Sequence, residues 1–371
     1  MPSITPTLFT PIKIGKHTLQ HRIVLPPLTR MRNDDDHKPT DDSVEYYKQR
    51  STPGGLLIAE GTVISHDAGG YPGTPGIYTT EQIEAWKKVT DAVHDKGAII
   101  FLQIFHHGRT SPAYMFPDNH PPVSASPIAV KGISYVGFPY ETPRALEIEE
   151  IQSITQDFVR AAENAIAAGF DGVEIHAANG YLLDQFINTS SNKRTDQYGG
   201  SIQNRARFPL EVVDAVAKAI GDDKTAIRFS PWSEFQDMED DTPVATWSYI
   251  TEQLEKTHPG LAYLHYIEPR VNLLLDGPEE GEKVDTLDPF RALWSGPFIS
   301  AGHYTFDIKS SFHRAETSPN NLVAIGRAFT SNPDLVERIR NNWPIAPYHR
   351  PTLYSTGPVG YIDFPPYSKN N

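Results

Sequence analysis

The chain has 371 residues, no cysteine and a formal net charge of −13. Without cysteine there are no disulfides, thiolate metal sites or cysteine nucleophiles. The acidic balance argues against nucleic-acid and anionic-membrane partners, which call for a basic footprint. Apolar residues make up 39% and aromatics 11%, enough for a large core and too much for a disordered chain.

The opening Met-Pro-Ser-Ile-Thr-Pro-Thr lacks the basic and apolar regions of a secretion signal. No apolar run reaches the ~18 residues of a membrane span, and the terminal Ser-Lys-Asn-Asn is not a peroxisomal address. A cytoplasmic protein is expected. Pro11–Leu19 reads as a hairpin turning at Gly15-Lys16, placed to close one end of a barrel. Eight short apolar, β-rich runs come next: 22–25, 55–60, 98–103, 172–176, 225–230, 261–265, 297–301 and 322–325. Helical patterns lie between most of them, over 81–96, 205–220, 246–256 and 334–341. The clearest has Ile151, Ile154, Phe158, Ala161, Ala162 and Ala165 on one face. Strands alternating with helices imply parallel pairing through crossovers. Eight such units predict an α/β fold, a single (β/α)8 TIM barrel over residues 1–371. A doubly wound sheet is the alternative, but Pro26-Pro27-Leu28-Thr29-Arg30 stands where its glycine-rich turn belongs. No Gly/Ser-rich linker divides the chain. A long, proline-rich loop from Arg109 to Pro143 follows the third strand, and Ile133–Phe138 reads as one arm of a small hairpin in it. Both a lid and a surface insertion fit that loop.

A barrel carries its chemistry just past the C-terminal ends of its strands. Those positions hold Pro27-Leu28-Thr29, then Glu60-Gly61-Thr62, then Gln103, Phe105 and His106. The fourth strand delivers His176, Asn179 and Tyr181; the fifth carries Arg228 and runs on to Trp232 and Phe235. The sixth ends near His265 and Glu268, the seventh at Gly302-His303, the eighth at Gly326-Arg327. There is no carboxylate cage and no His-Glu-x-x-His, so no metal site is expected. There is no Gly-x-Ser-x-Gly elbow, and no lysine at a strand end for a Schiff base. Amides, a hydroxyl, arginine and glycines suit a large planar heterocycle with a phosphate, and this fold commonly binds phosphate after its last two strands.

The stretch "HAANGYLLDQFINTSSNKRTDQYGGSIQNRAR" at 176–207 resembles the Old Yellow Enzyme family of FMN-dependent ene-reductases, fungal members in particular. So do "LPPLTRMR" at 25–32, "EGTVISHDAGGY" at 60–71, "EPRV" at 268–271, "SNPDL" at 331–335 and "GYIDFPP" at 360–366, a likeness spanning Leu8 to Tyr367. The resemblance implies a (β/α)8 barrel holding FMN. It implies a ping-pong reduction of α,β-unsaturated carbonyl compounds by NADPH or NADH. It makes His176 and Asn179 donors to the substrate carbonyl and Tyr181 the proton donor. Thr29, Gln103 and Arg228, with the backbone of Pro27, Leu28 and Gly61, would hold the flavin ring. Gly302, His303, Gly326 and Arg327 would hold its phosphate, and Tyr71, Phe105, Phe235 and Tyr361 would wall the substrate pocket. Phe105 replaces a frequent tryptophan of the family and His303 a more usual asparagine; Val63 and the 271–275 loop also depart. A small-molecule enone or enal is the expected partner, and the state a monomer or homodimer. A flavin-dependent isomerase or reductase of a fungal secondary-metabolite pathway is one alternative, a ligand-binding barrel without catalysis another.

Overall fold

The structure is a computed structural model that describes residues 5–269 and 285–368. Eight parallel strands close into a barrel in chain order. They are β1 (Ile23–Leu25), β2 (Leu56–Val63), β3 (Ile99–Phe105), β4 (Gly172–Ala177), β5 (Thr225–Phe229), β6 (Tyr263–Ile267), β7 (Phe298–Ala301) and β8 (Asn321–Ala324). Each occurs where a short β-rich run predicts one. The strands are buried on both faces, which is why they read as unbroken apolar runs rather than as alternation. β2 runs on to Val63 because its pairing with β3 slips between Ala59 and Thr62. The slip leaves Glu60 and Gly61 out of register, as a bulge does.

Helices fill the crossovers and cover the sheet. The longest, Ile148–Ala167, begins at a capping box between Glu147 and Glu150 and buries Ile151, Ile154, Phe158, Ala161, Ala162 and Ala165. That is the stripe the spacing predicts. Each fully buried Ile or Phe on it contributes about 1.5–3 kcal/mol. Trimming Phe158 to alanine should cost about 3–5 kcal/mol. The helix at Asp41–Arg50 has no marked apolar stripe in the sequence; it is held instead by buried Tyr46, Tyr47 and Arg50. Among the described residues no helix is long and apolar enough to cross a membrane.

The barrel interior changes character along its axis. At the N-terminal end, Ile12, Ile14 and Leu19 of the leading hairpin (Ile12–Ile14 paired with His17–Leu19) pack into one cluster with Val24, Leu56, Ile58, Phe101, Ile299 and Leu322. Gly15 turns the hairpin at φ 51°, and a side chain there would collide with the Asp223 carbonyl oxygen just before β5. The hairpin closes this end. In the loop after β3, the Ser134 N–H donates to the Phe138 oxygen (2.8 Å), forming a tight turn.

Candidate active site

At the other end the strands open into a cavity of about 380 Å³. Strand alternation places its floor. On β3, Phe101, Gln103 and Phe105 share a face; on β4, Glu174 and His176 do. His176 pairs in register with Arg228 of β5, and Arg228 with His265 of β6. Gln103, His176 and Arg228 therefore come to the cavity from three neighbouring strands. Asn179, Tyr181, Phe235, Pro27, Leu28, Thr29, Gly302, Gly326 and Arg327 complete the part of the lining that the sequence predicts.

The segment after β4 folds to aim its side chains inward. Asn179 adopts φ 56°, a left-handed conformation that asparagine tolerates better than most residues. Its backbone N–H donates to Ser230 Oγ (2.7 Å), and that of Gly180 to Asp184 Oδ2 (2.8 Å). Gln185 Nε2 donates to the Gly180 oxygen (2.8 Å). Asp184 and Gln185 thus fasten the turn, and Asn179, Tyr181 and His176 are left to the cavity. The His176 and Tyr181 ring centroids lie 4.9 Å apart. Phe105 backs both, at 5.8 and 5.0 Å.

Burial sets the protonation of these groups. It holds the His176 pKa well below the ordinary imidazole value, and Arg228, His265 and His107 lower it further. His176 is therefore a neutral ring with one N–H to donate. Burial also pushes the Tyr181 phenol up to about 12, so it keeps its proton at neutral pH. Several buried polar atoms here have no partner among the described residues: His176 Nδ1, Asn179 Oδ1 and Arg228 Nε. Leaving each unmet costs about 1–3 kcal/mol, which calls for a ligand. At the far wall, Gly302 and Gly326 keep the space clear; a Cβ at Gly326 would stand 3.2 Å from Leu28 Cδ2. The Arg327 guanidinium sits 5.7 Å from the rings of both Phe306 and Tyr348. A flat polar floor beside an arginine with glycine clearance fits a planar ring with an anionic tail.

Four predicted residues are not on the cavity surface. Gly61 lies behind Gln103 and Phe105; a Cβ there would stand 3.1 Å from the Phe105 ring. Phe105 supports the His176 and Tyr181 rings from behind. Tyr71 packs edge-on against His107 (4.4 Å) and Tyr135 (5.4 Å), one layer out. Tyr361 is fully buried elsewhere, stacked on Tyr46 at 4.3 Å beneath Arg30 and Arg32, so it is core rather than pocket wall. The His303 side chain and the 271–275 loop lie outside the described residues, as does the second half of the 268–271 motif. The cavity also recruits Tyr135, Phe306, Arg350 and Tyr354, which sequence reasoning missed. Tyr135 sits in the turn of the long loop after β3, where an aromatic within a predicted hairpin arm was the available signal.

The fold and this lining define a flavin-binding barrel oxidoreductase, and comparison with known proteins agrees. Residues 7–345 match the model of the NADH:flavin oxidoreductase / NADH oxidase family. The chain belongs to that family: it is an FMN oxidoreductase of the Old Yellow Enzyme type. It is 48% identical over 361 residues to 12-oxophytodienoate reductase 1 of Oryza sativa subsp. japonica, covering 96% of this chain and 92% of that one. It is 43% identical to flavin oxidoreductase hxnT of Emericella nidulans, covering 98% and 99%. Morphinone reductase superposes with a TM-score of 0.90 at 40% identity, covering 100% of this chain and 99% of that one. The same enzyme in complex with tetrahydroNAD superposes at 0.89 and 41% identity, covering 99% of each chain.

Proposed function

We propose that this oxidoreductase reduces the C=C bond of α,β-unsaturated carbonyl compounds, with NADPH or NADH as hydride donor, in two successive half-reactions at one cavity. When bound, FMN supplies the two-electron relay between nicotinamide and substrate. Gln103, Arg228 and Thr29, with the backbone of Pro27 and Leu28, hold the ring; Gly302, Gly326 and Arg327 hold its phosphate. Gly61 contributes by leaving room behind Gln103. The relatives named for an oxophytodienoate, and the neighbour in complex with tetrahydroNAD, support the substrate class and the donor class respectively. Residues 1–371 act as one FMN-binding domain, a monomer or homodimer in the cytoplasm.

His176 and Asn179 donate to the substrate carbonyl oxygen. As hydride reaches the β-carbon, negative charge moves onto that oxygen, so donors aimed there favour the transition state over the ground state. A neutral imidazole suits this role because it donates a hydrogen bond without losing a proton to the substrate. Tyr181, protonated at physiological pH, delivers a proton to the α-carbon. Phe105 fixes both rings, and Phe235 and Tyr135 flank the substrate with apolar surface.

The observation that carries this reading is that His176, Asn179 and Tyr181 line one cavity together with Gln103 and Arg228. Purified protein should absorb as an oxidised flavoprotein, bleach with NADPH or NADH under anaerobic conditions, and regain colour when an enone such as cyclohexenone is added. Bleaching without recovery across a panel of enones rejects the ene-reductase reading. A colourless protein rejects the FMN assignment.

A further inference from the structure

Beneath the cavity floor lies a carboxylate that the proposed chemistry does not use. Glu174 stands two residues before His176 on β4, turned inward by the same alternation, and is fully buried. Its Oε1 accepts from Gln103 Nε2 at 2.8 Å, and its Oε2 accepts from His265 Nδ1 at 2.8 Å. His265 is also fully buried. Arg228 stands on β5 between β4 and β6, in register with His176 on one side and His265 on the other. Burial lowers the Arg228 pKa, and the Glu174 charge opposes that loss.

We propose that Glu174 is a positioning residue, acting through Gln103 and Arg228 to set the hydrogen-bond pattern and the charge that a bound flavin meets. The inference rests on the FMN reading above. Two effects result. First, a carboxylate only accepts, so the Gln103 amide must turn its NH₂ down toward Glu174. Its Oε1, which no donor among the described residues reaches, is left free to accept. Second, Glu174 offsets the Arg228 charge before any ligand arrives. A hydride carries two electrons and one proton, so a ring that accepts it gains one negative charge. Arg228 favours that gain and Glu174 opposes it. The pair holds the flavin's reduction potential below the value Arg228 alone would set, and the reduced enzyme gives up its hydride more readily.

The test is an equilibrium redox titration of the flavin-loaded protein against a reference dye. Glu174→Gln removes the charge and keeps the size. Its potential should move to more positive values by at least a tenfold change in the reduction equilibrium, about 30 mV for a two-electron couple. His265→Phe removes the donor to Oε2 and leaves Glu174 less compensated, so its potential should move to more negative values. An unmoved potential in Glu174→Gln, or shifts of the same sign in both variants, overturns the proposal. Should Glu174→Gln not fold, His265→Phe decides alone: a negative shift supports the role and no shift overturns it. Wild-type protein that carries no flavin overturns this and the FMN reading together. A loaded wild type with an unmoved Glu174→Gln overturns this one only.

Discussion

Two buried arginines at opposite ends of the barrel are served very differently. Arg22, just ahead of β1 at the closed end, gives its guanidinium to protein: NH1 to the Asn321 oxygen (3.2 Å) and to that of Pro319, and Nε to Thr10 Oγ1 (3.2 Å). Arg228, within β5 at the open end, leaves Nε buried without a partner among the described residues. The surroundings match. The closed end is an apolar cluster sealed by Ile12, Ile14 and Leu19. The open end gathers a neutral imidazole, a carboxamide and a protonated phenol around space. One end is built for stability. The other keeps unmet polar atoms at a cost in stability, and a barrel withstands that cost because its closed end is so well packed.

The contrast can be broken by substitutions at either end. The largest effect is expected from Tyr181→Phe, which should slow enone reduction by about 10²–10⁴-fold while nicotinamide still reduces the flavin at the wild-type rate. Stopped-flow absorbance separates the two half-reactions, and equal wild-type rates in both would remove Tyr181 from the mechanism. His176→Ala should lower kcat/KM for the enone by about 10²–10³-fold, as loss of an oxyanion donor does. It should also weaken binding of phenols, whose oxygen imitates the charged carbonyl; unchanged phenol affinity in a flavin titration speaks against the donor role. At the closed end, Ile14→Ala should cost about 2–5 kcal/mol in denaturant unfolding and leave flavin content unchanged. Lost flavin with little lost stability would mean the two ends are not separable.

The smallest expected effect is a pH slope. Burial pushes the Glu60 carboxyl up to about 7, opposed by the Arg30 backbone N–H and the Arg30 and Arg32 charges. A folded pKa above the unfolded one means the native state binds the extra proton. The resulting stability is fully present below the ordinary carboxyl value of 4.5 and is lost as pH rises through about 7. The wild-type melting temperature should therefore fall relative to that of Glu60→Gln as pH rises from about 4.5 to about 7. A difference between the two curves that stays constant over this range contradicts the buried state of Glu60.

Much of the site could be read from the chain because its parts are local. His176, Asn179 and Tyr181 sit in one strand-turn segment, so their spacing alone puts them together. Gln103 and Arg228 lie on strands whose apolar runs mark them as interior. The aromatic lining was harder. Phe105 and Tyr361 look alike as sequence, yet one braces His176 and Tyr181 while the other lies in a tyrosine–arginine stack with Tyr46. Tyr354 carried no signal of its own, and Tyr135 only its place in a predicted hairpin arm, although the two rings meet at 5.4 Å between centroids beside the cavity. Glu174 reads as an ordinary strand residue until its two partners are seen.

The amino-acid order by itself determined the eight strands, their parallel pairing and the His-x-x-Asn-Gly-Tyr cluster. All of these arise from periodicity and short-range backbone preference, which act over a few residues. Tertiary structure decided which loop aromatics face the cavity, which arginines are satisfied, and that Glu174 bonds both Gln103 and His265 beneath the floor. Those outcomes depend on barrel closure, which brings distant strands into register, and no local pattern records the distance between residues so far apart in the chain.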